Sequence, residues 1–451
     1  MTRSVRCQSF RAEIGGVFMK SFTKATILFV CFSASLVMQG MQGPVIGQDL
    51  GAQRRFAQEL YVAAQTGDAE GVQRLLGQIA DPAYLGNALG LAARHGQEEA
   101  VGMLAERVDD QDQLGRALGW AVVGGHQGAF DRLLPKVSKL EELVRAFDLS
   151  LTPLFAGGQE RPSRMARPAH RQMAGQLQMR LMLLEQHQKD KALLVAAKGD
   201  LDRAAKWLVN RASQEAKDEA LIEAAKSGYE AVIRFLLGRV GYRQPVKDEG
   251  LRVAAEAGHR EAVRLLLPHV DQRSKGMALW GAAERGHRET VQLLLPHADP
   301  NGKDMALMAA AGAGHGSMVR LLLPHAGPLG KDIALENAAR AGHEEIVRFL
   351  LLHARPEGIE MALMGAAQGG YGGIVRFLLL HARPEGIDRA LGTIAVVVGY
   401  KRSPAECEEM VRLLLPHASL EGKAMALRRL KTEGGYRSVA EILREAMHEG
   451  N

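Results

Sequence analysis

One spacing constrains this chain more than any other. Gly258-His259, Gly286-His287, Gly314-His315 and Gly342-His343, followed by Gly370-Tyr371, stand 28 residues apart. In the same frame Leu251, Leu279, Leu307, Leu335, Leu363 and Leu391 recur at an unbroken 28, and Leu427 follows after 36, with an insertion around Lys401 to Glu408. Upstream the frame continues through Leu221 and Leu193. Weaker copies begin at Leu118, Leu89 and Leu60, with Gly125-His126, Gly96-Gln97 and Gly67-Asp68. A fixed period of this length implies about twelve tandem units, each burying its apolar side only against its neighbours.

Each unit reads as two short helices. Met305 to Ala313 are helix formers with Leu307, Ala310 and Ala311 on one face, and Gly314 ends them as a left-handed cap. Val319, Leu322 and Leu323 then sit at i, i+3 and i+4 of a second helix, which Pro324 is expected to stop. Each buried Leu or Val contributes roughly 1.5–3 kcal/mol once a neighbour covers it. Alanine pairs such as Ala282-Ala283 and Ala338-Ala339 let adjacent helices approach closely. Such use of small residues agrees with 50 glycines and only 5% aromatics.

These residues resemble the ankyrin repeat, whose pattern has a leucine and two alanines in helix one, a Gly-His turn, and Val-x-x-Leu-Leu in helix two. The resemblance is specific from Leu221 to His417 and looser over the rest of Leu60 to Arg444. Two departures stand out. The unit has 28 residues where the family has about 33, and Met-Ala-Leu or Ile-Ala-Leu replaces the family's Thr-Pro-Leu-His start. The missing residues fall between units, in stretches such as Pro296 to Asp304, where the family extends a β-hairpin finger. The expected fold is an all-α helical repeat solenoid of ankyrin-like helix-turn-helix units with reduced or absent β-hairpins, a plain α-solenoid being the alternative.

Four segments follow. Residues 1–45 hold a signal peptide and a preceding extension, because Lys20 and Lys24 precede an apolar run from Ala25 to Phe32 with small residues after it. That run is shorter than the roughly 20 residues of a membrane span, so cleavage and export are expected, with anchoring if it stays uncleaved. Residues 46–136 carry degenerate repeats, 137–190 an insertion with a basic loop and a helix, and 191–447 the main array. With Cys7 and Cys31 in the leader, Cys407 alone can form no internal disulfide. The net charge of +6 is spread through mixed signs, and the basic stretch Gly157 to Arg171 holds no aromatic residue for base stacking, so no nucleic-acid partner is expected.

Fifteen histidines invite a metal reading, since His269, His297, His325, His353, His381 and His417 occupy one place in successive units. Stacked helices lie on the order of 10 Å apart, whereas a shared zinc needs each ring nitrogen about 2 Å away. These histidines are expected to serve the helix ends, with no metal and no cofactor. Gly-x-Ser-x-Gly and His-Glu-x-x-His are absent, and Gly302-Lys303, Gly330-Lys331 and Gly422-Lys423 have histidine where a phosphate loop needs its first glycine. No catalytic residue is expected.

Binding positions are those that vary while the frame holds. Arg252, Trp280, Met308, Glu336 and Met364 directly follow the helix-one leucine, and Glu256, Glu284, Gly312, Arg340 and Gln368 come four residues later on the same helical face. By resemblance to ankyrin arrays this face is concave and contacts a partner protein. Trp280 and the methionines are also the residue types that fill gaps between repeats, and that reading stands beside the first. The chain is thus expected to be a monomeric, non-enzymatic scaffold for a protein partner, free of membrane once the leader is cleaved. Arrays of this kind resemble those of bacteria living in eukaryotic hosts, which implies an exported, host-directed protein. The rival expectations are an enzyme or toxin with its chemistry in residues 137–190, and a structural spacer of the envelope.

Overall fold

The computed structural model describes residues 50–151, 168–239, 241–396, 404–433 and 437–448. The segment expected to be an export leader, with Cys7 and Cys31, lies outside these residues, as do Arg161, Arg164 and Arg167 of the basic stretch. The chain divides into two compact units, 1–216 and 217–451. The first holds α1 (Leu50–Thr66), α2 (Ala69–Leu76), α3 (Pro82–His95), α4 (Glu98–Ala105), α5 (Gln111–Gly124), α6 (Gln127–Leu133), α7 (Leu140–Leu151), α8 (Pro168–Met182), α9 (Gln186–Lys198) and α10 (Asp202–Leu208). The boundary falls within α11 (Gln214–Ser227). The second unit continues with α12 (Glu230–Arg239), α13 (Gln244–Glu256), α14 (Arg260–Leu266), α15 (Gln272–Glu284), α16 (Arg288–Leu294), α17 (Pro300–Gly312), α18 (Gly316–Leu322), α19 (Pro328–Ala341) and α20 (Glu344–Leu351). It ends with α21 (Pro356–Gly369), α22 (Gly372–Leu379), α23 (Pro384–Val396), α24 (Pro404–Leu414), α25 (Leu420–Glu433) and α26 (Arg437–His448). Odd-numbered helices are the first of each pair and even-numbered ones the second, so the fold is an all-α repeat solenoid.

The pair α17 and α18 shows why the sequence folds this way. Asp299 accepts a hydrogen bond from Gly302 N at 2.8 Å and Pro300 starts the helix, where its missing N–H has no cost. The helix closes on Gly314, whose φ of +81° is left-handed, and His315 N donates to Ala310 O at 2.9 Å. Leu307, Ala310, Ala311, Val319 and Leu322 are all fully buried. Pro324 acts less abruptly than its lack of a donor suggests. Leu323 keeps right-handed helical angles (φ −52°, ψ −41°), and Leu323–His325 form one turn of 3-10 helix that leads to the next unit. Among the described residues no strand occurs between units, so the hairpin fingers are absent there.

Two sets of bonds tie neighbouring repeats together, one at each end of the first helices. At the carboxyl end, His287, His315 and His343 place Nε2 2.9–3.0 Å from the carbonyls of Glu256, Glu284 and Gly312 in the preceding repeat. The same rings lie over the left-handed glycines, and a Cβ added to Gly314 would come within 2.7 Å of His343 Cε1. At the amino end, Asp304 accepts from Gly327 N at 2.6 Å and Asp332 from Arg355 N at 3.0 Å. Asp332 also pairs with the Arg355 guanidinium at 2.6 Å, and Asp388 accepts from Ser419 N at 2.8 Å. The carboxylate of Asp332 rests where Gly358 of the next repeat would carry a side chain.

The segment expected as an insertion contains a helix pair of its own. Phe147 of α7 stands 29 residues after Leu118 and is buried, edge-on to Trp207 with ring centroids 5.3 Å apart. His170, in the first turn of α8, lies over left-handed Gly125 much as His126 lies over Gly96. The pair α7 and α8 therefore occupies the frame, with 152–167 between its helices outside the described residues.

Candidate partner-binding face on the first helices

All nine residues expected to contact a partner lie in the second unit, on one longitudinal face of α13, α15, α17, α19 and α21. Their burial follows from the frame. The leucine and the two alanines of each helix point inward and are fully or almost fully buried. The positions one and five after the leucine therefore emerge at the edge of the core. Arg252, Glu256, Trp280, Met308, Glu336, Met364 and Gln368 are half-buried, whereas Glu284 and Arg340 are exposed.

A third column shares this face. Two residues before the leucine stand Glu249, Met277, Met305, Ile333 and Met361, three residues ahead of the first predicted column. Met277 is exposed and Met305, Ile333 and Met361 are half-buried. Much of the face is accordingly apolar and soft: Met277 and Trp280 on α15, Met305 and Met308 on α17, and Met361 and Met364 on α21, with Ile333 and Glu336 of α19 between the last two. Two side chains touch it with weak acceptor contacts to sulfur, Asn301 Nδ2 to Met305 Sδ and Thr393 Oγ1 to Met364 Sδ, each at 3.9 Å. In the next repeat Asn337 Nδ2 donates to Met308 O at 3.3 Å. The methionine column is thus partly engaged between repeats while its outer edge stays open.

The charged members are mostly neutralised within their own helices. Arg252 Nε donates to Glu249 Oε2 at 2.8 Å, and its other nitrogens reach Glu249 Oε1 and Glu256. The hydrogen bond that Arg252 donates to Glu249 raises the Arg252 pKa above its ordinary value and lowers that of Glu249. Arg340 pairs with Glu336 one turn earlier. These pairs leave an apolar strip bordered by fixed charges, with the Glu284 carboxylate facing solvent at its edge.

Among the described residues no group of three His, Cys, Asp or Glu side chains converges on a metal position. The turn histidines His269, His297, His325, His353, His381 and His417 are exposed, and His381 Nδ1 lies 3.2 Å from Phe377 O one turn back. Cys407 is buried and forms no disulfide. No helix of the described residues is long and apolar enough to cross a membrane.

Comparison with protein families matches residues 245–304 and 279–361 to the ankyrin repeat family model, in three copies. The pattern of leucine, paired alanines, Gly-His turn and Val-x-x-Leu-Leu is strongest in that stretch. No curated protein matches the chain. Among solved structures, the pentatricopeptide repeat protein PPR10 from maize is 13% identical, with 94% of this chain and 70% of that one covered and a TM-score of 0.31. A circular tandem repeat protein with novel repeat topology and enhanced subunit contact surfaces is 14% identical, with 88% and 94% covered and a TM-score of 0.20.

Proposed function

We propose that this ankyrin-like repeat protein is a non-enzymatic scaffold that binds one partner protein through the first-helix face of α13 to α21. Ankyrin and other helical repeats generally mediate protein–protein interaction, and their folds are typically without catalytic activity. The observation that carries the finer reading is the half-exposed apolar strip of Met277, Trp280, Met305 and Met308 on two adjacent repeats, continued past Ile333 by Met361 and Met364. Methionine is flexible and polarisable, so such a strip adapts to an apolar surface, and Trp280 is its largest rigid anchor. Glu284 and the Glu336–Arg340 pair border the strip and would set orientation.

The test begins with a partner isolated by the full chain from host lysate, followed by its affinity for variants. Trp280→Ala with Arg340→Ala is expected to weaken binding at least tenfold while the melting temperature stays within about 2 °C. A large loss of stability with unchanged affinity would instead assign Trp280 to gap filling between repeats. We infer further that residues 1–45 direct export, as the layout of Lys20, Lys24 and the run to Phe32 suggests. Amino-terminal sequencing of the mature protein checks this, and an intact Met1 or Met19 would refute it.

A further inference from the structure

The first-helix face leaves a second feature unused. Leu352 and Leu380, at the ends of α20 and α22, are 81% and 79% exposed. The corresponding places in other repeats hold Pro268, Pro296, Pro324 and Pro416, each within or beside the 3-10 turn. Two adjacent repeats therefore exchange a turn-forming proline for a large apolar side chain that contributes no burial to the fold. Phe349 and Phe377 sit three residues earlier on the same helical faces and are half-buried. Exposed leucines thus stand on two adjacent repeats, each three residues after a half-buried aromatic ring.

An arginine column borders this patch on one side. Arg320, Arg348 and Arg376 occupy one column of α18, α20 and α22, all exposed. Arg320 lies over Phe349 and Arg348 over Phe377, 5.5 and 4.4 Å from the ring centroids. Arg348 also pairs with Glu344 one turn earlier at 2.6 Å. Gly316 and Gly372 stand at that place for Arg320 and Arg376, so neither helix supplies its arginine with such a carboxylate. Arg348 and Arg376 each stand four residues before an exposed leucine, on the same side of their helix.

We propose that this second-helix face, made by Arg320, Arg348, Phe349, Leu352, Arg376 and Leu380, docks an acidic amphipathic helix of a partner protein. Neighbouring helices lie about 8–10 Å apart, and residues i and i+7 of an α-helix are about 10.5 Å apart. A crossing helix can thus place two apolar side chains on Leu352 and Leu380 and turn carboxylates toward the arginine column. An anionic membrane suits the site less well. Exposed Glu345, Glu357 and Glu385 flank the leucines, so a broad anionic surface would press against them, whereas a narrow helix can keep its carboxylates on the arginine side. The ridge is two leucines long, which matches a helix better than a sheet of lipid.

A random 18-residue peptide library panned against the full chain, with Leu352→Glu/Leu380→Glu as counter-selection, tests the proposal. The expected peptides carry Leu or Phe seven residues apart among Asp and Glu. A fluorescent copy of the best one should bind the unmodified chain and lose at least tenfold affinity to Leu352→Glu/Leu380→Glu. Arg320→Ala/Arg376→Ala should lose several-fold and flatten the salt dependence. Leu352→Gln/Leu380→Gln is the second variant should the charged one melt early. Trp280→Ala/Arg340→Ala should bind the peptide unchanged, which separates this site from the first-helix face. No enrichment, enrichment of basic peptides, or affinity indifferent to the leucines overturns the proposal. So does leucine-dependent binding to phosphatidylserine vesicles without peptide binding, or leucine-dependent self-association in sedimentation.

Discussion

The stretch from α13 to α22 and the stretch from α7 to α10 answer to the same frame and use it differently. In the first, every unit has 28 residues, each Gly-His histidine or Tyr371 covers the glycine of the preceding repeat, and the residue after the helix-one leucine faces outward. In the second, that residue is Asp148, and it is 6% exposed. Asp148 Oδ1 accepts from Arg203 N at 2.9 Å and Ala204 N at 2.8 Å, at the amino end of α10. The long connector within the α7 and α8 pair accompanies a change of neighbour, so a surface column becomes a buried helix cap. Position in the repeat alone does not make a residue available to a partner; the regular stacking of the next unit does.

The largest expected effect tests what regular stacking demands. At Gly314 any side chain meets two costs at once: a left-handed φ of +81° and the ring of His343 2.7 Å from the new Cβ. The first costs about 1–2 kcal/mol and overpacking about 1–3 kcal/mol more. Gly314→Val is therefore expected to destabilise the second unit by about 2–5 kcal/mol in denaturant unfolding. Gly316, two residues on, has ordinary helical backbone, and a Cβ added there would meet Ile346 Cγ1 at a comfortable 3.8 Å. Gly316→Ala should be neutral or stabilise by about 0.5 kcal/mol. Equal losses at both sites would remove the ring over the glycine as the reason for the Gly-His pair.

The second expectation concerns the irregular stretch. Burial pushes the Asp148 carboxyl up to about 6 from its ordinary 3.8, against the two backbone N–H groups and Arg203, which favour the charged form. The folded protein thus holds this proton more tightly than the unfolded chain. Stability from the group is full below about pH 4 and is lost as pH rises through about 6, by up to about 3 kcal/mol. Urea unfolding of the full chain, followed by amide exchange in α7 and α10, should show this decline, and Asp148→Asn should flatten it. A variant that keeps the full pH slope would place the titration elsewhere. No counterpart is expected from α13 to α22, where the same column meets solvent.

Much of this is legible in the sequence. The period, the two helical faces, the left-handed glycines and the columns after the leucine all follow from spacing and residue chemistry. The methionine column two residues before the leucine is equally within reach, because it lies three residues from the first column and so on the same helical face. What conceals it is that Met-Ala-Leu reads just as well as the opening turn of a helix, where residue type does not separate surface from core. The α7 and α8 pair is hidden by Phe147 in a leucine place and by a connector that carries His170 out of register. Two amino-end ties lie between residues 23 apart, Asp304 to Gly327 and Asp332 to Arg355, and the third, Asp388 to Ser419, spans 31 across the insertion near Lys401. The repeated offset is visible, but an acceptor for a backbone N–H leaves no signature in the donor's own residue type.

The smallest expected effects separate the two histidine columns within a single repeat. His343 bridges to Gly312 O at 3.0 Å and fills the space over Gly314, so His343→Ala removes both an inter-repeat bond and packing. A net hydrogen bond contributes about 0.5–1.5 kcal/mol, and the lost ring contact adds to it, so a loss of about 1–2 kcal/mol is expected. His353, ten residues later, is exposed at the end of α20, with its ring 5.8 Å from that of Phe349. His353→Ala should change stability by no more than about 0.5 kcal/mol. A larger cost at His353 than at His343 would mean that the turn histidines, and not the Gly-His ones, hold successive repeats together. The two variants measured side by side therefore decide which column belongs to the framework and which is left to the surface.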